Sequence, residues 1–319
     1  MNRRIVLAIG ALAFAAGAAM AQAPKGNVRI TTVFPTGSGP DSVARIVAEK
    51  LQAKWGQPVI VESKPGGAGV LGINAMKGAP ATGNDLVVVD VGNLSINPLI
   101  FKKLAYDPEK DLSPVAVLYK TAFFVAVAAD GPYKTLKDLL DAAKVKPLSY
   151  GSNAVGGPLH LGAARLESAI GNEMLHVPFK ETSQLYSAVS TGEVNWAFGS
   201  IASAGALVRA GKLRFLAVAD RTRSAVMPDV PTLEEAGGPK ALDALTWVAL
   251  MAPAGTPTGV TAEINKAVNE ALGLADVKDK FAAFGFVPSP GPVQQVADLM
   301  QGDRSRYAEV LKRVKVSTD

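Results

Sequence analysis

Short β-branched runs alternate along this chain with longer segments of helical spacing, and this alternation constrains the fold more than any other feature. Residues 28–34 read as a strand; Val43, Ile46, Val47 and Leu51 then recur at helical intervals; residues 59–61 read as a strand again. The pattern continues through runs at 86–89, 123–128, 148–150, 175–177, 194–198 and 215–219, with helical segments between most of them. Units of this βαβ kind build parallel or mixed sheets with helices on both faces, so the expected fold class is α/β.

Two runs differ because each is a continuous apolar strand set between βα units: residues 122–129 and 245–252. They predict crossovers between two domains. On that reading residues 24–125 and 246–319 form one discontinuous lobe and residues 126–245 are inserted as a second. Two crossings and a cleft between lobes suit hinge closure on a ligand. The tail from Thr261 is predicted helical, with Ile264, Val268 and Leu272 on one face. An apolar content of 48% is enough to fill both cores.

Residues 1–23 read as an address rather than as structure. Met1-Asn2-Arg3-Arg4 precedes an Ala- and Gly-rich apolar run from Ile5 to Met20, and small residues follow at A-x-A spacing, Ala19/Ala21 or Ala21/Ala23. That is the pattern of a cleaved export signal. The run is short and weakly apolar for a membrane span, which needs about 20 residues, so the mature chain is expected to begin at Gln22 or Pro24. With no cysteine anywhere, acylation after the signal, disulfides and thiolate chemistry are excluded. A free, soluble periplasmic protein is expected. The formal net charge of +5 falls by two when Arg3 and Arg4 are removed, and the other Lys and Arg are scattered. With only 6% aromatic residues there is no base-stacking surface either, so nucleic acid is not an expected partner.

Two glycine-rich loops carry the candidate chemistry. The first, Phe34-Pro35-Thr36-Gly37-Ser38-Gly39-Pro40-Asp41-Ser42, runs from a strand into a helix. Its backbone amides can approach a carboxylate or phosphate at the helix start; the same residues serve equally as a tight turn with Asp41 or Ser42 capping the helix. The second, from Tyr150 through Gly151, Ser152, Asn153, Ala154, Val155, Gly156, Gly157 and Pro158 to His160, falls in the other lobe. Two such loops can close on one solute from opposite sides of a cleft. His160 stands in the first turn of the following helix and reads better as a packing or hydrogen-bonding residue than as a catalyst.

A third motif points elsewhere. Gly67-Ala68-Gly69-Val70-Leu71-Gly72 is a formal G-x-G-x-x-G between a strand and a helix, with Asp90 about where a ribose-binding acid belongs. It supports an alternative, an exported nicotinamide-dependent oxidoreductase. Against it, the motif follows the second strand and is preceded by Lys64-Pro65-Gly66. Only His160 and His176 exist, and H-E-x-x-H, G-x-S-x-G, a Walker lysine and informative carboxylate pairs are lacking. A binding protein without catalytic residues, metal or cofactor is therefore the better expectation.

Across its mature length the sequence resembles the Bug family of periplasmic solute receptors, the substrate-binding components associated with tripartite tricarboxylate transporters. The matching stretches include Phe34 to Asp41, Lys64 to Gly69, Ile96-Asn97-Pro98, Leu104 to Pro108, His160-Leu161, His176 to Lys180, Ala210 to Arg214 and Pro228 to Thr232. The resemblance implies two lobes of the type II periplasmic binding protein kind, hinged by two strands around a small carboxylate-bearing solute held by both loops. Taken with those loops, it gives a candidate site of Pro35, Thr36, Gly37, Ser38, Gly39, Asp41, Asn93, Ser152, Asn153, Gly156, Gly157, His160, Lys180, Thr182, Ser200 and Trp247. A monomer that hands its organic anion to transporter subunits or to a sensor kinase is expected.

Departures from the family pattern bear on the ligand. Ser38 stands where a second consecutive glycine is usual, and Ala154 and Gly157 replace a glycine and a Ser or Thr. Glu181 replaces a small residue, and Gly199-Ser200 stands at a common acidic position. The solute is thus expected to lack an ammonium group, unless Glu181 supplies its counter-charge.

Overall fold

The computed structural model describes residues 23–314 and 316; the predicted export signal lies outside them, apart from Ala23. The alternation read from the sequence builds the first sheet directly. β1 (Val28–Thr32), α1 (Gly39–Trp55), β2 (Val59–Ser63), α2 (Val70–Lys77) and β3 (Asp85–Asp90) follow in order, with β1 parallel to both β2 and β3. The apolar face of α1, through Val43, Ala44, Val47 and Leu51, buries against this sheet. A short helical turn, Gly92–Ile96, and α3 (Asn97–Ile100) then lead to β4 (Leu112–Ala122).

β4 is where the sequence reading differs. The apolar run at 122–129 is the second part of a longer extended segment: β4 ends at Ala122 and β5 (Phe124–Ala128) starts a second sheet. Pro114, Lys120 and Thr121 interrupt the apolar pattern of β4, which hid an eleven-residue strand. Phe124 and Val125, expected in the first lobe, pair with the strands Trp196–Gly199 and Leu213–Val218 of the second.

The second sheet is built from α4 (Leu136–Val145), β6 (Ser149–Ser152), α5 (Pro158–Ile170), β7 (Leu175–Pro178), α6 (Thr182–Thr191), β8 (Trp196–Gly199), α7 (Ile201–Arg209) and β9 (Leu213–Val218). Its order is β7-β6-β8-β5-β9, with β6 parallel to β7 and β8 and β5 antiparallel to its neighbours. A separate core of Tyr150, Trp196, Phe198, Leu185 and Phe215 fills it.

The chain returns through β10 (Leu245–Pro253), antiparallel between β3 and β4, so with β11 (Val287–Pro288) the first sheet reads β11-β4-β10-β3-β1-β2. α8 (Thr258–Gly273), α9 (Ala275–Ala283), β11 (Val287–Pro288) and α10 (Gln294–Leu311) complete the first lobe. The predicted helical face of Ile264, Val268 and Leu272 is buried there. The two crossings lie side by side: the Phe123 N–H donates to Ala244 O (2.9 Å) and the Phe123 carbonyl accepts from Ala219 N (2.8 Å). A third tie comes from α10. Arg165 on α5 and Arg306 on α10 share Asp243 just before β10, at 3.2 and 3.6 Å, while Asp303 on α10 accepts from Trp247 Nε1 (2.6 Å). Among the described residues no helix is long and apolar enough to cross a membrane.

Candidate functional site

A cavity of about 390 Å³ opens between the lobes. It lies beyond the carboxyl ends of β1, β2 and β3 in one lobe and of β6 in the other, where open α/β sheets characteristically bind ligands. Val33, Phe34 and Pro35 after β1, Pro65, Gly66, Ala68 and Gly69 after β2, and Asp90, Gly92, Asn93 and Asn97 after β3 form one side. The loop Asn153 to Pro158 after β6 forms the other, and Ile100 and Phe101 close the edge.

The polar floor rests on two asparagines. Asn93 Nδ2 and Asn97 Nδ2 both donate to Ala68 O, at 2.8 and 2.9 Å, and the Tyr106 hydroxyl donates to Asn93 O (2.7 Å) while accepting from Asn97. The segment from Gly66 to Gly69 has positive φ throughout, including Ala68 at 53°. A side chain at Gly69 would collide with Asn93 Nδ2. This turn therefore spends its glycines on anchoring Ala68 O rather than on cradling a pyrophosphate, and the dinucleotide reading is corrected. Asp90, singled out as a ribose acid, instead faces the cavity. Its Oδ1 accepts from Asn93 N (3.0 Å), and its own N–H donates to Asn93 Oδ1 (3.1 Å). Burial pushes its carboxyl up to about 6, against the opposing pull of the backbone N–H groups of Asn93, Gly92 and Asp90 itself.

The loop of the second lobe is held from behind by two histidines. His160, 4% exposed, accepts the Gly156 N–H on Nδ1 (2.9 Å), which fixes its proton on Nε2. His176 Nε2 lies 2.8 Å from Ser152 Oγ, and the two imidazoles stack at 3.8 Å. Burial lowers both histidines, His160 to about 4 with His176 beside it as a further cause. α5 starts at Pro158 with no side-chain cap, leaving its amino end directed at the cavity loop. Gly156 in turn packs on Ile100, where a Cβ would meet Ile100 Cδ1 at 2.8 Å.

Of the residues expected from sequence, Pro35, Asn93, Asn153, Gly156 and Gly157 line this cavity. Thr36, Gly37, Ser38 and Gly39 adjoin it on the first loop; the Gly37 N–H already donates to Asp41 (2.9 Å), whose buried carboxylate also holds Arg45. The helix-capping reading is corrected: Ser38 stands at the N-cap with no side-chain cap, and Asp41 closes the preceding turn through Gly37. The Ser38 hydroxyl is buried without a partner. Ser152 and Thr182 stand behind the second loop, Thr182 Oγ1 being 3.5 Å from Asn153 Nδ2. His160, Lys180, Ser200 and Trp247 do not line the cavity. His160 spends its acceptor on Gly156, Ser200 caps α7 through Ser203, Trp247 is drawn into the core by Asp303, and Lys180 is exposed after β7.

Sequence reasoning missed Pro65, Gly66, Ala68, Gly69, Asn97 and Ile100 as cavity walls and gave Asp90 the wrong partner. It also looked for a counter-charge in the wrong places. A side chain at Gly199 would run into the Tyr186 hydroxyl, and Glu181 is exposed at the start of α6; the acid in the cavity is Asp90.

The model of the tripartite tricarboxylate transporter family receptor matches residues 43–316. The chain belongs to this receptor family. BugT of Bordetella pertussis is 28% identical over 292 residues, covering 91% of this chain and 89% of BugT. Among solved structures, R. palustris Rpa4515 with adipate superposes with a TM-score of 0.82 at 27% identity, covering 91% of this chain and 97% of the other. MatC from Rhodopseudomonas palustris with bound malate gives 0.76 at 29% identity, covering 90% and 99%. This Bug-type receptor therefore has the two-lobed fold of solute-binding proteins. Neither family nor fold supports the oxidoreductase alternative.

Proposed function

We propose that the protein is an exported, monomeric and non-catalytic receptor that captures a small carboxylate-bearing solute between its lobes for a tripartite tricarboxylate-type transporter. The observation that carries this is the cavity itself: both walls are strand-to-helix loops rich in glycine, one from each lobe, at the carboxyl ends of parallel strands. Its volume suits a small organic acid. Adipate and malate in related receptors support the solute class, and the family model favours a transporter over a sensor kinase as the recipient. We place the mature protein in the periplasm after removal of residues 1–23. Pro35, Asn93, Asn153, Gly156 and Gly157 contact the solute, with Thr36 to Gly39 joining as the lobes close about the adjacent crossings at Phe123 and Ala244.

Thermal unfolding of the mature chain against mono-, di- and tricarboxylates, amino acids, neutral amides and NAD tests this. A ligand at a hundredfold excess over Kd adds about 2.7 kcal/mol. One carboxylate should stabilise and NAD should not; stabilisation by NAD or by a neutral solute alone would overturn the reading.

A further inference from the structure

We propose that Asp90 is the proton acceptor of the site, taking up one proton as a carboxylate solute binds, so that the receptor captures its anion together with H⁺. This rests on the carboxylate reading above and deepens it. Among the described residues, Asp90 is the only ionisable side chain on the cavity wall, and no Lys, Arg or His lines it. An anion entering this space meets backbone amides, asparagines and one acid, with no side-chain cation to offset it. Two carboxylates confined together cannot both remain ionised at low cost, and the proton goes to one of them. Asp90 is placed to hold it. Its Oδ1 is fixed by Asn93 N (3.0 Å), and the carboxyl group stands on the cavity wall within reach of an entering solute. Once protonated, that O–H can donate to the solute carboxylate.

The groups packed around Asp90 do not supply a competing charge. Tyr119 on β4 and Tyr106 on the segment before it are the titratable groups that sense it, and burial keeps both phenols neutral. Val248 of β10 is its strand partner, and the turn Gly92–Ile96 offers backbone bonds. The upward shift to about 6 agrees in direction, and an approaching anion raises it further.

Calorimetric titration of adipate, malate and L-aspartate at pH 7.5, in two buffers of different ionisation enthalpy, measures the proton count directly on the wild-type protein. Binding of a dicarboxylate with close to one proton taken up is expected, its affinity falling about tenfold per pH unit above 7. Asp90→Asn should bind the same acid with no proton uptake from this group and a flat pH profile. Dicarboxylate binding without proton uptake overturns the proposal while leaving the receptor reading intact. L-aspartate binding tightest, without proton uptake and lost in Asp90→Asn, overturns it in favour of an ammonium counter-ion. If no carboxylate binds, the receptor reading fails and this inference with it.

Discussion

Replacing His160 tests whether the cavity loop depends on its backing histidines. His160→Leu removes the acceptor of the Gly156 N–H, a buried pair at 2.9 Å. An unpaired buried amide costs about 1–3 kcal/mol. His160→Gln keeps an acceptor within reach and should recover most of that loss at neutral pH. The pH dependence adds a second signature. His160 titrates in the folded protein at about 4, below its ordinary value of 6.5. The native state therefore binds fewer protons than the unfolded chain between these values. Its stabilising share is complete above pH 6.5 and drains away as pH falls toward 4, amounting to roughly 3 kcal/mol in all. His176 is lowered too and drains in the same direction, so the diagnostic quantity is the difference between wild type and variant. Urea unfolding from pH 4.5 to 7.5 should show both variants losing less stability on acidification than wild type, with His160→Leu alone weakened at pH 7.5. An unchanged slope in both would refute the assignment of a buried neutral imidazole.

Three further outcomes follow from the geometry. Asp90 has a folded-state pKa raised from 3.8 to about 6, so its ionisation opposes folding increasingly up to pH 6; because the carboxyl borders cavity water, Asp90→Asn should gain about 1–2 kcal/mol above that pH and nothing near pH 3.5, and equal gains at both would contradict it. Gly69→Ala forces a side chain to φ 90° and into Asn93, costing about 1–3 kcal/mol in urea unfolding and weakening adipate binding, whereas Gly78→Ala, with open space around it, should do neither. Asp243→Ala leaves Arg165, with 18% of its side chain exposed, without its carboxylate; a loss of about 1–2 kcal/mol is expected, and unchanged urea unfolding would remove the α10 tie from the account.

What the sequence made legible was local. The parallel strands and α1 announce themselves through period alone, and the second loop does so through glycine. β4 was hidden because Pro114 and Lys120 break its apolar run, and the passage from one sheet to the next at Phe123 leaves no trace in a chain that stays extended. The cavity floor was hidden for a different reason. Asn93 was named, but the role it shares with Asn97 comes only from reaching Ala68 O, 25 and 29 residues earlier in the chain, and no local pattern reports such a contact. Trp247 shows the same limit from the opposite side. It was placed in the candidate site, but Asp303, 56 residues on, turns the ring into the core. Asp90 was noticed for its position at a strand end, yet its chemistry depends on the absence of cations around it, which only the assembled walls display.

The most direct test of the central claim is a crystal structure of the mature protein with whichever carboxylate gives the largest thermal stabilisation. That acid should lie in the cavity between Asn153 to Gly157 and Val33 to Pro35, with a carboxylate accepting from amides of both loops and another group against Asp90. A ligand bound outside this cavity, or one touching a single lobe with the other withdrawn, would contradict it.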